Sequence, residues 1–280
     1  ARWQFLIIIW LLTILAFWLR AIRMRFILKK QGCQVTTAKI FGASSITMLY
    51  SLVIPGLLST GVKWYILKQQ TGKGSNVLSS MMYNQAINIT IRILIGLVAI
   101  IMTNPSGRWQ LPAICAGLTV GIILASVLLL NKRIGAKISA AIAYALSPFP
   151  RIIRLPAEKI LEQIKVFQAT SWTFHIAMAG ITLVASLLGV MIYVFATKAV
   201  GITVPVMALV WQSSVIYVLS RLPISVANLG VREFTLIEFL ALYGVEAPAV
   251  ILMSMIIFSN TILMAVIGAI YQLCWTIKKP

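Results

Sequence analysis

The stretch L-P-I-S-V-A-N-L-G-V-R-E, residues Leu222–Glu233, interrupts a long apolar region with a proline, a glycine, Ser225, Asn228 and two charges. Arg221 stands just before it. A continuous membrane helix does not accommodate Pro223 and Gly230 so close together without breaking. An arginine near the bilayer centre costs about 2.5–3.5 kcal/mol on insertion scales, so Arg221, Arg232 and Glu233 need partners or water. The stretch reads as a broken helix that forms a polar site inside a membrane protein.

Composition agrees. The 280 residues are 60% hydrophobic and 10% charged, where a soluble domain averages about 25% charged. Repeated apolar runs of about 20 residues predict an all-α polytopic membrane protein. A transmembrane β-barrel would show alternation, and these runs are continuous. The net charge is +19, from 24 Lys and Arg against 5 glutamates. Nucleic acid is excluded as a partner, because no soluble basic domain exists to carry it. Loop cations that hold topology and touch anionic lipid explain the charge instead. Cys33, Cys115 and Cys274 are too scattered for a metal site or disulfide framework, and His175 stands alone. No cofactor is expected, and the few carboxylates offer little to a hydrolase or a two-metal phosphotransferase.

Along the chain, Trp3–Leu19 is the first apolar run, with basic residues after it and not before, which argues for a retained span over a signal peptide. Arg20–Lys39 carries six cations and reads as a cytoplasmic connection. Ile40–Ile54 is apolar and stops at Pro55-Gly56; a short helix then runs to about Gln70. Residues 40–70 thus read as a re-entrant hairpin. Asn76–Thr103 is a span whose first half carries Asn84, Gln85, Asn88 and Arg92. Gln85, Asn88 and Arg92 share a helix face, either as glue between helices or as a polar cavity wall. Leu111–Leu130 follows, and its Gly117-x-x-x-Gly121 is a weak signal for close packing. Residues 131–170 form the longest polar connection, with a surface helix after Pro156 carrying Glu158 in its first turn. Trp172–Thr197 spans. Residues 205–243 read as a second re-entrant hairpin, because Phe234–Tyr243 is too short to cross. Ala247–Ile277 closes the chain, with Lys278 and Lys279 inside. Of the 24 cations, all but six fall in proposed cytoplasmic segments; Arg2, Arg108 and Lys198 lie outside, and Arg92, Arg221 and Arg232 within the membrane. The bias is strongly positive-inside and puts the C-terminus in the cytoplasm.

The two interruptions match. I-P-G-L-L-S-T-G-V-K-W, Ile54–Trp64, and Leu222–Glu233 both run apolar-Pro, Ser, Gly-Val and a cation. Opposite orientation of two such breaks is the signature of an inverted repeat with a site near the midplane. Helices starting near Gly61 and Gly230 would aim their N-termini at that site, with Lys63 and Arg232 beside them and Arg221 and Arg92 adding charge. Ser59, Thr60, Ser225 and Asn228 offer neutral hydrogen bonds, and Asn88 belongs to the same polar set. Such a site suits an anion, a phosphate in particular. Glu233 either pairs with Arg232 or Arg221 to make burial tolerable, or acts as a proton-coupled switch.

P-I-S-V-A-N-L-G-V-R-E, followed by a short helix, a Tyr-Gly-Val turn and a final span, resembles the signature of the lysylphosphatidylglycerol synthase transmembrane family, also called the flippase-like domain family. R-A-I-R-M-R-F-I-L and the later I-P-G…G-V-K resemble its first half. Members typically carry Gly-Glu where this chain has Gly61-Val62, and acidic residues where it has Asn84, Gln85 and Asn88. The resemblance implies translocation or binding of phospholipids or lipid-linked sugars by a stand-alone member without the synthase half, and a further helix ahead of Trp3. The expected function is a translocase for an anionic phospholipid or lipid-linked glycan, not an enzyme. The alternatives are an integral membrane transferase acting on a lipid phosphate, or a non-catalytic lipid-binding subunit. Expected partners are an anionic membrane lipid or a polyprenyl-phosphate-linked lipid, a second copy of the chain and a separate lipid-modifying enzyme. The expected location is a bacterial or archaeal inner membrane.

Overall fold

The computed structural model describes residues 3–54, 56–104, 107–131, 134–135, 137, 140, 159, 162–220 and 229–277, the side chains of 56 and 57 excepted. Among them there is no strand, and nine helices have described bounds. These are α1 Trp3–Lys30, α2 Thr37–Ser51, α3 Gly56–Thr71, α4 Gly74–Thr103, α5 Gln110–Leu130, α6 Trp172–Val200, α7 Val206–Leu219, α8 Val231–Ala241 and α9 Ala247–Ile277. Five of them, α1, α4, α5, α6 and α9, are long and apolar enough to cross a membrane. The chain is an integral membrane protein.

At about 1.5 Å per residue, the 15 residues of α2, 16 of α3, 14 of α7 and 11 of α8 reach less than the roughly 30 Å of a hydrocarbon core. They must pack against the long helices. α1 lies along α6, α2 along α9, and α4 along both α5 and α7. α3 fills in between α2 and α4, and α8 between α7 and α9.

Small residues set the closest approaches, as expected where lipid removes the hydrophobic drive between helices. A Cβ on Gly268 of α9 would lie 2.2 Å from the Ser45 carbonyl oxygen of α2. One on Gly96 of α4 would lie 2.8 Å from the Ser214 Cβ of α7. Gly117 and Gly121 of α5 have nothing within 4 Å among the described residues, so the small-xxx-small spacing there is not used for packing against them. At the end of α6 the chain reverses through Gly201, whose φ of 87° lies in the left-handed region that glycine occupies without a Cβ penalty.

Two large apolar clusters, with a smaller third around Ile27, Tyr83, Phe167 and Met178, form the interior of the described residues. One joins Ile9 of α1 to α6, α7, α8 and α9; the other joins Ala21, Met24 and Leu28 of α1 to α2, α3 and α4. Thr13, Ala16, Phe17 and Arg20 of α1 fall between the two in sequence and line a cavity.

One boundary differs from the expectation. Arg20–Lys39 is not a connection throughout, because α1 continues to Lys30. Arg25 is exposed, but Arg23 is 1% exposed. Its Nε donates to the Asn84 Oδ1 of α4 at 3.0 Å, and its Nη1 donates to the Thr182 hydroxyl of α6. Neutral acceptors on two neighbouring helices therefore hold this charge inside the protein, where counting cations treats it as a loop charge.

Candidate functional site

The cavity between the clusters has a volume of about 220 Å³. Five helices supply its described lining that matters electrostatically: Arg20 from α1, Arg92 from α4, Tyr193 from α6, Ser213 and Tyr217 from α7, and Asn260 from α9. Arg232, at the start of α8, completes it. Three arginines from three helices thus line one small space, and no carboxylate is among its described lining residues.

Each arginine is positioned by packing. Arg92 is 7% exposed and lies with its guanidinium 5.0 Å over the Tyr217 ring. It occupies room left by Gly189, where a Cβ would sit 2.6 Å from its Nη2. Arg20 lies 5.4 Å over the Phe17 ring one turn earlier on its own helix. The aromatic faces offer partial negative charge that helps to hold each guanidinium in place.

Arg232 is held differently. Its Nη2 donates to Glu233 Oε1 at 2.6 Å and its Nε to the Ser254 hydroxyl at 2.8 Å, while that hydroxyl donates to the same Oε1 at 2.6 Å. The other carboxylate oxygen accepts the Gly230 backbone N–H at 2.7 Å. Gly230, at φ 84°, turns the chain into α8, and Glu233 closes the first turn as a capping carboxylate where the helix dipole favours negative charge. Sequence alone leaves Glu233 between counter-ion and switch. In this geometry its carboxylate makes the counter-ion contacts and caps the helix.

The comparison with family models matches residues 1–268 to the region described as "Lysylphosphatidylglycerol synthase TM region". The chain belongs to that family. It is thereby a membrane protein of lipid metabolism or transport. No curated protein and no solved structure matches it.

In this family member the other expected site residues are distributed unevenly. α3 begins at Gly56, so Gly61 is inside the helix and exposed, and does not present a helix N-terminus. Packing of Leu67 and Trp64 into the second apolar cluster carries the helix through Ser59, Thr60 and Gly61 despite their low helix propensity. Ser59 is buried and Thr60 exposed. Lys63 is half-buried on α3, close enough to Arg23 and Arg20 for their charges to interact, and it does not line the cavity. Asn88 is half-buried on α4, one turn before Arg92. Arg221, Ser225 and Asn228 lie outside the described residues. The structure adds Arg20, Asn260, Tyr193, Tyr217 and Ser213, which sequence reading passed over. Their only sequence signal is polarity on otherwise apolar helices.

Proposed function

We propose that the protein moves an anionic lipid between the leaflets of its membrane, with the headgroup in the arginine-lined cavity and the acyl or prenyl chains left in the bilayer. The observation that carries this is the meeting of Arg20, Arg92 and Arg232 in a space lined from seven helices, α1, α2, α4, α6, α7, α8 and α9. Three uncharged alternatives would have been cheaper to bury, because each cation in a membrane interior is costly. Arginine forks match phosphate oxygens in two-point geometry. Glu233, already engaged by Arg232, Ser254 and Gly230, is poorly placed to act as the base a lipid-phosphate transferase requires.

An inverted repeat supports the transport reading. The first four helices have 28, 15, 16 and 30 residues, and the last four 29, 14, 11 and 31. Exchanging the two halves turns the α2–α9 pair into α7–α4, α3–α4 into α8–α9, and α1–α2 into α6–α7, all of them packed pairs. It turns Gly268 on Ser45 into Gly96 on Ser214. The short pairs α2–α3 and α7–α8 then act as re-entrant hairpins, and the cavity lies between the halves where alternating access needs it. The positive-inside bias sets the C-terminus in the cytoplasm.

The test uses purified protein in vesicles containing a labelled anionic phospholipid. Wild type equilibrates the label between leaflets, and Arg232→Ala does not, while eluting as a folded species. Wild-type rates from that variant would remove Arg232 from the site.

A further inference from the structure

We infer that this conformation holds Lys63 in reserve: in the opposite-facing state the start of α3 unwinds as far as Gly61, and Lys63 enters the cavity in the place that Arg232 holds here. This rests on the inverted-repeat translocase reading and deepens it, by naming a second headgroup contact and the segment that delivers it.

The first support is the register of the two halves. A single spacing separates Gly32 from Gly201, Ser45 from Ser214, Gly61 from Gly230, Lys63 from Arg232 and Leu67 from Leu236. Most of these pairs have like surroundings. Gly32 and Gly201 both turn the chain at positive φ, 68° and 87°. Ser45 and Ser214 each lie against a close-packed glycine, and Leu67 and Leu236 are both fully buried. The same spacing relates Arg20 to Gly189 and Met48 to Tyr217, and all four line the cavity. Gly61 and Lys63 break the match. Gly230, at φ 84°, starts α8, which puts Arg232 in the first turn and in the cavity lining. Gly61 is inside a helix that starts earlier, at Gly56, and Lys63 stands outside the lining. Alternating access rocks one half of an inverted repeat against the other. With the halves related by a pseudo-two-fold axis, the opposite state gives each half the other's geometry, so the turn at Gly230 here is the turn Gly61 makes there.

The second support is local. Leu58, Thr60 and Gly61 are exposed, and Ser59 is the buried residue of that turn. A Cβ on Gly61 meets nothing within 4 Å among the described residues. Serine, threonine and glycine are weak helix formers. Trp64 and Leu67, which tie α3 to the second apolar cluster, come after Gly61, so the rest of the helix stays anchored when its start unwinds. Glycine takes the positive φ of the new turn without a Cβ penalty. Lys63 itself is poorly placed where it stands. Arg23, whose bonds go to the neutral Asn84 and Thr182, is close enough for its charge to oppose that of Lys63. α3 has no acidic residue to offset this, whereas Arg232 has Glu233 beside it. Arg20, which lines the cavity, is also within charge reach of Lys63, so the side chain stands next to the space it enters.

The experiment sets transport of a labelled anionic phospholipid in vesicles beside thermal unfolding, for the full chain and four variants. Alanine at position 61 favours the helix seen here and disfavours the left-handed turn, so Gly61→Ala moves lipid roughly tenfold more slowly or worse, yet unfolds no earlier than wild type. Gly180→Ala, also inside a helix with nothing within 4 Å among the described residues, keeps the wild-type rate. Lys63→Gln slows transport about tenfold without loss of stability, and Lys63→Arg, which keeps the charge, restores it. A wild-type rate from either Gly61→Ala or Lys63→Gln overturns the inference and leaves the translocase standing. A Gly61→Ala protein that is slow because it unfolds earlier also overturns it, because alanine would then not fit the open helical position. Wild-type protein that moves no lipid overturns both readings.

Discussion

Arg92→Gln protein, extracted and purified intact, carries roughly a thirtieth or less of the anionic lipid that accompanies the wild type. The expectation follows from where the side chain sits. Arg92 is in the buried part of α4, with Gly189 opened to make room for it and Tyr217 beneath it, and it lines the cavity. Losing one partner of a desolvated charge pair costs about 2–5 kcal/mol, which is a factor of roughly thirty to several thousand in affinity. Glutamine preserves polarity and much of the length, so the loss is of charge and not of packing. Removal of a cation from the membrane interior lightens the cost of folding, so the variant should unfold no earlier than wild type. Mass spectrometry of co-purified lipid, set beside a thermal unfolding curve, reads both effects. Lipid retained at wild-type levels would take Arg92 out of the site.

Gly268→Val should destabilise the protein by about 3 kcal/mol, the upper end of overpacking effects. A Cβ on Gly268 would stand 2.2 Å from the carbonyl oxygen and 2.5 Å from the carbonyl carbon of Ser45. Those are backbone atoms of α2, which cannot turn aside as a side chain can. The α2–α9 pair must separate, and with it the packing of Met264 into the second apolar cluster. Gly121→Ala on α5 is the matched control: nothing lies within 4 Å, and alanine gains about 0.5–1 kcal/mol over glycine in a helix interior. Thermal unfolding in one detergent, with the two variants side by side, checks the contrast. A Gly268→Val protein as stable as wild type would show that this close approach does not hold α2 to α9.

The long apolar elements could be read from sequence because length and composition suffice for them. α4, α5, α6 and α9 lie within a few residues of the expected spans. The start of α8 was also legible, because glycine and charge are local signals, and Gly230, Arg232 and Glu233 stand together where that helix begins; residues 221–228 lie outside the described residues. The cavity was not legible in full. Arg20 and Arg23 looked like topology-setting cations because their partners are far away in the chain: Asn84 is 61 residues from Arg23, and Thr182 is 159. A rule based on loop charge cannot see a contact of that range. Asn260 is a single polar residue in a 31-residue apolar helix and acquires meaning only when α9 is placed against the cavity. Gly61 shows the opposite error. Its motif matched Gly230, but tertiary packing starts α3 at Gly56 and leaves Gly61 on an exposed helix face.

The most direct test of transport compares two labelled lipids in vesicles containing the purified wild-type protein, one with an anionic and one with a zwitterionic headgroup. A membrane-impermeant quencher reports the fraction of each in the outer leaflet over time. The account predicts that the anionic lipid becomes fully accessible only when protein is present, and that the zwitterionic lipid stays as slow as in protein-free vesicles. Protein-dependent movement of neither lipid, or of both at the same rate, would contradict it.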